Sequence, residues 1–356
     1  MNSEWVQCRL GDLVTFQRGY DLPKTKMKSG NYPVVGSNGI IGWHNEYTTE
    51  NPSITIGRSG NVGNPFVVKS RSWSHNTTLY IKEFKHVDPL FIYYFLKTLN
   101  LANFAGGSAV PTLNRNHIHS LPVFVPVSIE KQQKIALILS ALDDKIELNQ
   151  KINENLGRQA QTIFRAWFVD FEPFGGEKPA TWDKATLGTI SEITSGKRPP
   201  MKQAEKTPTV NIPLVGAASV MGFTNAALYN EKILVTGRVG THGVVQRFTS
   251  KCWASDNTLV ITSKFYEFVY QVLQTIDYQN MNRGSTQPLI TQTDMKNIPI
   301  ILPATDILEK FEGTVGTLMR QYEENNRQNA KLAEIRDALL PKLMSGEIDV
   351  SSLPSC

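Results

Sequence analysis

Gly57-Arg58-Ser59-Gly60-Asn61-Val62-Gly63 occurs a second time in this chain as Gly237-Arg238-Val239-Gly240-Thr241-His242-Gly243, at an offset of 237 − 57 = 180 residues. Other segments repeat in the same order, at 180 or at 188 − 11 = 177: Leu10-Gly11 with Leu187-Gly188, Asn31-Tyr-Pro-Val-Val-Gly36 with Asn211-Ile-Pro-Leu-Val-Gly216, and Trp73 with Trp253. Small shifts with preserved order indicate loop insertions in two copies of one domain. The period is far longer than the roughly 20–50 residues of a solenoid repeat, so the sequence predicts a duplicated domain.

Within each copy, short β-branched runs separated by glycine, asparagine and proline predict strands. The matched runs are 32–35 with 212–215, 53–56 with 233–236, and 78–81 with 258–261. A short helix is predicted at 89–96 and at 265–273, and a proline-flanked strand closes each copy at 121–126 and 298–303. The copies are therefore predicted to be α+β domains, over residues 1–128 and 173–305.

A long helical pattern follows each domain, over residues 129–172 and 306–348, with a short tail at 349–356. Apolar residues recur there at alternating spacings of three and four, which is the pattern of a coiled-coil seam. Both seams carry asparagines at matched positions: Asn149, Asn153, Asn325 and Asn329. Because a seam asparagine needs a partner amide, we expect the two helices to pair. The alternative is two unrelated amphipathic helices whose asparagines face solvent.

The position of the asparagines favours antiparallel pairing, because they lie near the middle of each seam. An antiparallel pair would place the two domains at opposite ends, related by a pseudo-two-fold axis. A helix of about 38 residues spans roughly 57 Å, which exceeds the length of about 34 Å for one turn of B-DNA. The predicted fold is thus two duplicated α+β domains joined by two long antiparallel helices that form a coiled coil.

Composition limits the possible partners and compartments. The net charge of +5 and the isoelectric point near 8.9 favour a polyanionic partner. The three cysteines, Cys8, Cys252 and Cys356, have no CxxC spacing, which favours a reducing cytoplasm over disulfides or a zinc site. No signal-peptide pattern opens the chain, and no apolar run approaches the ~20 residues that span a bilayer. We therefore expect a cytoplasmic protein with no membrane association.

Motifs for chemistry are missing from the sequence. It contains no Asn-Pro-Pro-Tyr/Phe string, since Asn64-Pro65-Phe66 has a single proline, and no Gly-x-x-x-x-Gly-Lys-Ser/Thr phosphate loop. The six histidines form no His-x3-His pair, and we expect His117 and His119 to point oppositely on a strand or loop at the surface. We predict no catalytic residue, no cofactor and no bound metal.

The sequence resembles the specificity subunits of type I restriction–modification systems over its whole length. The resemblance rests on the segments that close the helices, 163–173 (Ile-Phe-Arg-Ala-Trp-Phe-Val-Asp-Phe-Glu-Pro) and 338–348 (Ala-Leu-Leu-Pro-Lys-Leu-Met-Ser-Gly-Glu-Ile). It also rests on those that open the domains, Leu10-Gly-Asp-Leu with Arg18-Gly19 and Leu187-Gly-Thr-Ile with Ser195-Gly196.

This resemblance implies a non-catalytic subunit with two target-recognition domains on an antiparallel helix pair. Such a subunit would read a bipartite, asymmetric sequence in double-stranded DNA, one domain to each half-site. It would dock two methyltransferase subunits on its helices and, through them, restriction subunits.

DNA reading needs donors on accessible loops: arginine and lysine for phosphates and guanine, asparagine and glutamine for adenine. Three sets of loops supply such side chains. The glycine loops carry Arg58, Ser59, Asn61, Arg238, Thr241 and His242. Two basic turns carry Lys24, Lys26, Lys197 and Arg198. The segments that precede the closing strands carry Asn114, Arg115, Asn116, Gln287 and Gln292.

Residues that differ between the copies are the better candidates for base contacts, because two domains that read different half-sites must differ there. His242 against Val62 and Gln287 against Val110 are such differences. Arg58 and Arg238 are shared, so they fit phosphate contacts or a structural role in which each ties a turn together through backbone carbonyls. For every one of these loops the alternative is a solvated loop without function. For the whole chain, the alternatives are a coiled-coil scaffold whose twin domains bind protein or RNA and, less favoured, a stand-alone nuclease.

Overall fold

The structure is a computed structural model that describes residues 4–107, 111–241, 243–278, 281 and 289–352. It divides into two compact units, Met1–Asn149 with Arg327–Cys356, and Gln150–Asn326. Each unit therefore combines one α+β domain with a part of each long helix.

The first domain alternates short strands with short helices. Its elements are β1 (Trp5–Arg9), α1 (Leu10–Leu13), β2 (Val14–Arg18), β3 (Tyr32–Gly36), β4 (Gly39–His44), β5 (Ser53–Gly57), β6 (Pro65–Val68), β7 (Trp73–Ser74), β8 (Thr78–Phe84), α2 (Pro89–Thr98), β9 (Ala105–Gly106), β10 (Thr112–Leu113), α3 (Arg115–His119) and β11 (Pro122–Pro126). An antiparallel sheet has the order β2-β8-β5-β6, a second sheet has the order β4-β3-β7, and β1 pairs with β11 and β9 with β10. The first long helix, α4 (Ile129–Phe168), follows.

The second domain repeats this architecture. Its elements are β12 (Asp183–Thr186), α5 (Leu187–Ile190), β13 (Glu192–Ser195), β14 (Ile212–Val215), β15 (Val220–Thr224), β16 (Ile233–Gly237), β17 (Gln246–Phe248), β18 (Trp253–Ala254), β19 (Thr258–Thr262), α6 (Tyr266–Thr275), α7 (Gln292–Lys296), β20 (Pro299–Leu302) and the long helix α8 (Thr305–Ser345). Its sheets have the orders β13-β19-β16-β17 and β15-β14-β18, and β12 pairs with β20. Apart from the β9–β10 pair, which has no counterpart among the described residues of the second domain, these orders match the first domain and confirm the duplication.

The core of each domain lies between its four-stranded sheet and the helix that follows it. In the first domain, Phe16 of β2 and Leu79 of β8 are buried together with Phe91 and Ile92 of α2. Burial of one such side chain contributes roughly 1.5–3 kcal/mol. The helix α2 begins at Pro89 because the Asp88 side chain accepts a hydrogen bond from the Phe91 backbone N–H at 2.8 Å, which satisfies a donor of its first turn.

The long helices run antiparallel within each unit. In the first unit, Asp143 and Asn149 of α4 contact Arg336 and Asn329 of α8, so the residue numbers rise along one helix as they fall along the other. In the second unit, Asn153 bonds Asn325, and the Phe164 ring lies 6.1 Å from the Phe311 ring. The fold class predicted from the sequence is confirmed, while the predicted domain limits at 128, 172 and 305 stay predictions.

The histidines and the third set of loops depart from the sequence prediction. Residues Arg115–His119 form helix α3, capped by the Asn114 side chain, and Gln292–Lys296 form α7 in the second domain. The prediction that His117 and His119 lie on a strand or loop is therefore wrong. His119 packs inward, where its Nε2 accepts a hydrogen bond from the Phe16 backbone N–H at 2.9 Å. His44 is buried, at 4% exposed.

Candidate DNA-recognition surface

The two glycine loops bring backbone so close to backbone that only glycine fits at their first position. In the first loop the Gly63 N–H donates to the Gly57 carbonyl at 2.8 Å, and a Cβ on Gly57 would lie 1.8 Å from the Asn61 oxygen. In the second loop a Cβ on Gly237 would lie 1.9 Å from the Thr241 oxygen. Glycine is therefore required for this close approach of backbone to backbone, and both loops present their middle residues to solvent.

The same neighbours hold each glycine loop in place. The Arg58 N–H donates to the Thr77 carbonyl at 2.8 Å, and the Leu113 N–H donates to the Arg58 carbonyl at 2.8 Å. In the second domain the Arg238 N–H donates to the Asn257 carbonyl at 2.9 Å, and the Ile290 N–H to the Arg238 carbonyl at 3.0 Å. Backbone pairing thus brings three separate segments of each domain together: the glycine loop, the turn before β8 or β19, and the residues before α3 or α7.

A fourth segment, the turn of the β3–β4 hairpin, lies against each glycine loop. A Cβ on Gly60 would lie 3.2 Å from the Ser37 hydroxyl oxygen, and the Ser37 N–H donates to the Thr77 hydroxyl at 3.3 Å. In the second domain a Cβ on Gly237 would lie 2.9 Å from the Cβ of Ala217. We call these four segments, in either domain, the loop cluster.

Positive charge from three arginines lies on or next to the loop cluster of the first domain. Burial and the charge of Arg18 lower the pKa of Arg58, so the two guanidinium groups repel each other. Arg115, at the start of α3, also acts on its surroundings, because burial and then the Arg115 charge lower the pKa of His119. A phosphate or a guanine edge would relieve such repulsion, since both offer acceptor atoms to arginine.

The second domain has different side chains at the same positions. Ser195 ends β13 as Arg18 ends β2, and Gln292 opens α7 as Arg115 opens α3. The Gln292 amide donates to the Ser195 hydroxyl at 2.8 Å, so this predicted DNA-binding residue already has one partner within the domain. The Nε of Arg238 is buried and has no hydrogen-bond partner among the described residues.

The basic turns are exposed. Lys24 and Lys26 lie on a single 3-10 turn, Lys24–Lys26, with neither side chain buried. Lys197 and Arg198 are exposed in the segment after β13, where the Trp253 indole N–H donates to the Lys197 carbonyl at 2.7 Å. That bond ties this basic segment to the strand that leads into the turn of the loop cluster.

The remaining predicted residues are exposed, half-buried or outside the described residues. Asn61, Asn116 and Thr241 are exposed, and Ser59 is half-buried. The Asn114 side chain accepts from the Asn116 backbone N–H at 2.9 Å, so it caps α3. His242 and Gln287 lie outside the described residues.

Sequence reasoning missed Arg18 and both turns before β8 and β19. Arg18 lies 58 − 18 = 40 residues from Arg58 in a strand that reads as core, and only strand pairing brings it close. The turns, His75 to Thr77 and Ser255 to Asn257, lie between strands without a glycine or proline that would have marked them.

The seam asparagines meet in pairs. Asn149 Nδ2 donates to Asn329 Oδ1 at 2.8 Å and to Gln328 Oε1 at 2.7 Å in the first unit. In the second unit Asn325 Nδ2 donates to Asn153 Oδ1 at 2.8 Å. Asn149, Asn153 and Asn325 are buried. The alternative in which they face solvent is therefore contradicted for these three residues.

Comparison with known proteins agrees with this architecture. The family model for the type I restriction modification DNA specificity domain matches residues 2–158 and 179–334. The chain is 32% identical over 302 residues to the type I restriction enzyme MjaIX specificity subunit of Methanocaldococcus jannaschii, covering 74% of this chain and 70% of that protein. It is 25% identical over 328 residues to the HindI specificity subunit of Haemophilus influenzae, covering 67% and 71%.

A solved structure has the same fold. The crystal structure of a type I restriction–modification S subunit from M. genitalium superposes with a TM-score of 0.64 at 17% identity, covering 96% of this chain and 97% of that one.

The matches to the family model and to the specificity subunits thus identify a non-catalytic DNA-recognition protein. The chain belongs to the family of type I restriction–modification specificity subunits. Its function is the recognition of DNA sequence in a type I restriction–modification system. In the part of the chain that the structure describes, no helix is long and apolar enough to cross a membrane, and no group of three or more acidic, histidine or cysteine side chains is arranged to hold a metal.

Proposed function

We propose that each domain reads one half of a bipartite, asymmetric DNA target, with residues 1–128 and 173–305 as the two recognition domains. One observation carries the proposal. The loop cluster is built twice with the same backbone hydrogen bonds, while the side chains next to it differ, as in Arg18 against Ser195 and Arg115 against Gln292. Two loop clusters with the same backbone would approach the DNA groove in the same orientation, and different side chains on them would select different bases.

Within each domain we divide the contacts by chemistry. The exposed cations Lys24, Lys26, Lys197 and Arg198 are assigned to phosphates, because they carry charge without a fixed geometry. Arg58 and Arg238, which are common to both domains, join them at the glycine loops. The residues assigned to base edges are Ser59, Asn61, Asn114, Arg115, Asn116, Thr241, His242, Gln287 and Gln292.

We further propose that the helical segments, 129–172 and 306–348, dock two methyltransferase subunits, and through them restriction subunits, in the cytoplasm. Exposed apolar side chains on the helices support this. In the first unit Leu137 and Leu148 of α4 are 48% and 51% exposed, and Ile335 of α8 is 40% exposed. Apolar side chains that remain in water on a helix already paired with another are available to a partner.

The decisive experiment is a domain exchange. Residues 1–128 are replaced by the matching domain of a relative with a different target, and methylated sites are mapped in cells that carry the complete operon. We expect one half of the methylated sequence to change, and the other half and the spacer to remain. The reciprocal exchange of residues 173–305 is the matched control and should change the other half. An exchange that altered both half-sites at once would refute independent reading.

A further inference from the structure

The turns before β8 and β19 occupy the same place in the two loop clusters. The Thr78 N–H donates to the His75 carbonyl at 2.9 Å, and the Thr258 N–H donates to the Ser255 carbonyl at 3.0 Å. The last residue of each turn, Thr77 or Asn257, accepts the hydrogen bond from the arginine of the glycine loop described above. The middle residue of the turn is therefore placed beside the glycine loop in both domains. It is Asn76 in the first domain and Asp256 in the second.

The residue that partners this middle residue in the first domain is replaced by one of opposite charge in the second. Gly19 and Gly196 are equivalent, since their N–H groups donate to the Thr78 and Thr258 carbonyls at 3.0 and 3.1 Å. Two residues after these glycines stand Asp21 in the first domain and Arg198 in the second. Asn76 Nδ2 donates to Asp21 Oδ1 at 2.6 Å. In the second domain, Asp256 stands in place of Asn76, and Arg198 stands in place of Asp21.

Asp256 is exposed, and within the described part of the chain its carboxylate makes no hydrogen bond or ion pair. An acceptor-only carboxylate on a surface that meets DNA is repelled by phosphates. It gains from contact only where the DNA offers a donor. In the major groove cytosine presents its N4 amino group, whereas adenine places its N7 acceptor next to its N6 donor. A carboxylate therefore selects cytosine, while the amide of asparagine selects adenine.

We infer that Asp256 is a specificity-determining residue of the second domain that accepts a hydrogen bond from the N4 amino group of one cytosine in its half-site. Arg198, which stands in the sequence where the first domain has Asp21, contacts a DNA phosphate and offsets the repulsion between the carboxylate and the phosphates. This inference rests on the proposed function, because it requires that the second domain reads its own half-site through the loop cluster.

The test is Asp256→Asn, which keeps the shape and replaces an acceptor-only group by an amide. Methylated sites are mapped in cells that carry the full operon, and the complex with its methyltransferase is titrated with duplexes that carry each base at each position. We expect one cytosine in the second half-site to be replaced by adenine or to lose its preference. Binding to the original site should weaken about 5- to 150-fold, the equivalent of the roughly 1–3 kcal/mol of a base contact.

Asp256→Ala is the second variant and should relax the same position without a new preference. Asp183→Asn, an exposed aspartate of β12 outside the loop cluster, is the matched control and should change nothing. Equal strengthening of binding to all sequences by Asp256→Asn would show that the carboxylate only repels phosphate, and unchanged preference would show a surface group without a role; either result overturns the inference. The proposed function fails on a different result, namely a domain exchange that alters both half-sites.

Discussion

Arg247 fixes the second domain to the long helix α8 through a buried ion pair, and its removal should destabilise that unit strongly. Its guanidinium donates to both carboxylate oxygens of Glu267 at 2.6 and 2.9 Å and to Glu323 at 2.8 Å. The rings of Tyr266 and Tyr270 lie 4.8 and 4.6 Å from it. Burial opposes its charge, but the hydrogen bonds and charge of Glu267 outweigh burial and raise the pKa of Arg247.

The expected loss of stability follows from the state of the Glu267 carboxylate in the Arg247→Met variant. The Glu267 side chain is 4% exposed, so it would become an unpaired buried carboxylate. Breaking such a pair from one side costs about 3–5 kcal/mol, whereas replacing the whole pair by apolar groups is often neutral. The first domain already has the apolar version, since Val67 and Leu90 stand at the positions of Arg247 and Glu267.

We therefore expect Arg247→Met to lower the free energy of unfolding of the second unit by about 3–5 kcal/mol, and Arg247→Met with Glu267→Leu to restore most of it. Urea unfolding monitored by the tryptophan fluorescence of that unit measures the stability of the single and of the double variant. The control is Lys264→Met, which removes an exposed ion pair with Glu309 and should change the free energy of unfolding by less than about 1 kcal/mol. A loss below about 1 kcal/mol for Arg247→Met, or a double variant no more stable than the single one, would refute the reasoning.

Two further predictions concern the helix seam and His119. Replacing all four seam asparagines by leucine should raise the melting temperature, because apolar side chains replace buried amides, and should loosen the register of the helix pair. Calorimetry measures the melting temperature, and methylation mapping detects the change of register. A lower melting temperature would contradict the first effect. Burial, then Arg115 and Lys85, lower the pKa of His119, whose Nε2 must stay unprotonated to accept from Phe16. The contribution of His119 is therefore complete above the unfolded value of about 6.5 and is lost as pH falls towards the lower folded value, because the unfolded chain binds the proton first. Between pH 7.5 and 5.5 the melting temperature should fall more in the native chain than in His119→Gln, and equal falls would refute this role.

The sequence by itself determined the duplication, the elements and the helix pairing. Matched glycine loops 180 residues apart (237 − 57 = 180), β-branched runs and the three-four spacing around Asn149 and Asn325 are local patterns in each copy, and local patterns specify local structure. The long helical pattern predicted from residue 129 and the strands predicted to begin at Tyr32 and Ser53 therefore agree with the structure.

Only the tertiary structure decided which side chains meet. Arg18 approaches Arg58 through β2, β8 and β5, and Glu323 reaches Arg247 from a helix 323 − 247 = 76 residues further on. The Gln292 amide donates a hydrogen bond to Ser195, and the His119 ring accepts one from the Phe16 backbone, although the sequence predicted both side chains at the surface. Burial, charge repulsion and hydrogen bonding depend on distances of a few ångströms between residues far apart along the chain, and strand pairing and helix packing set those distances.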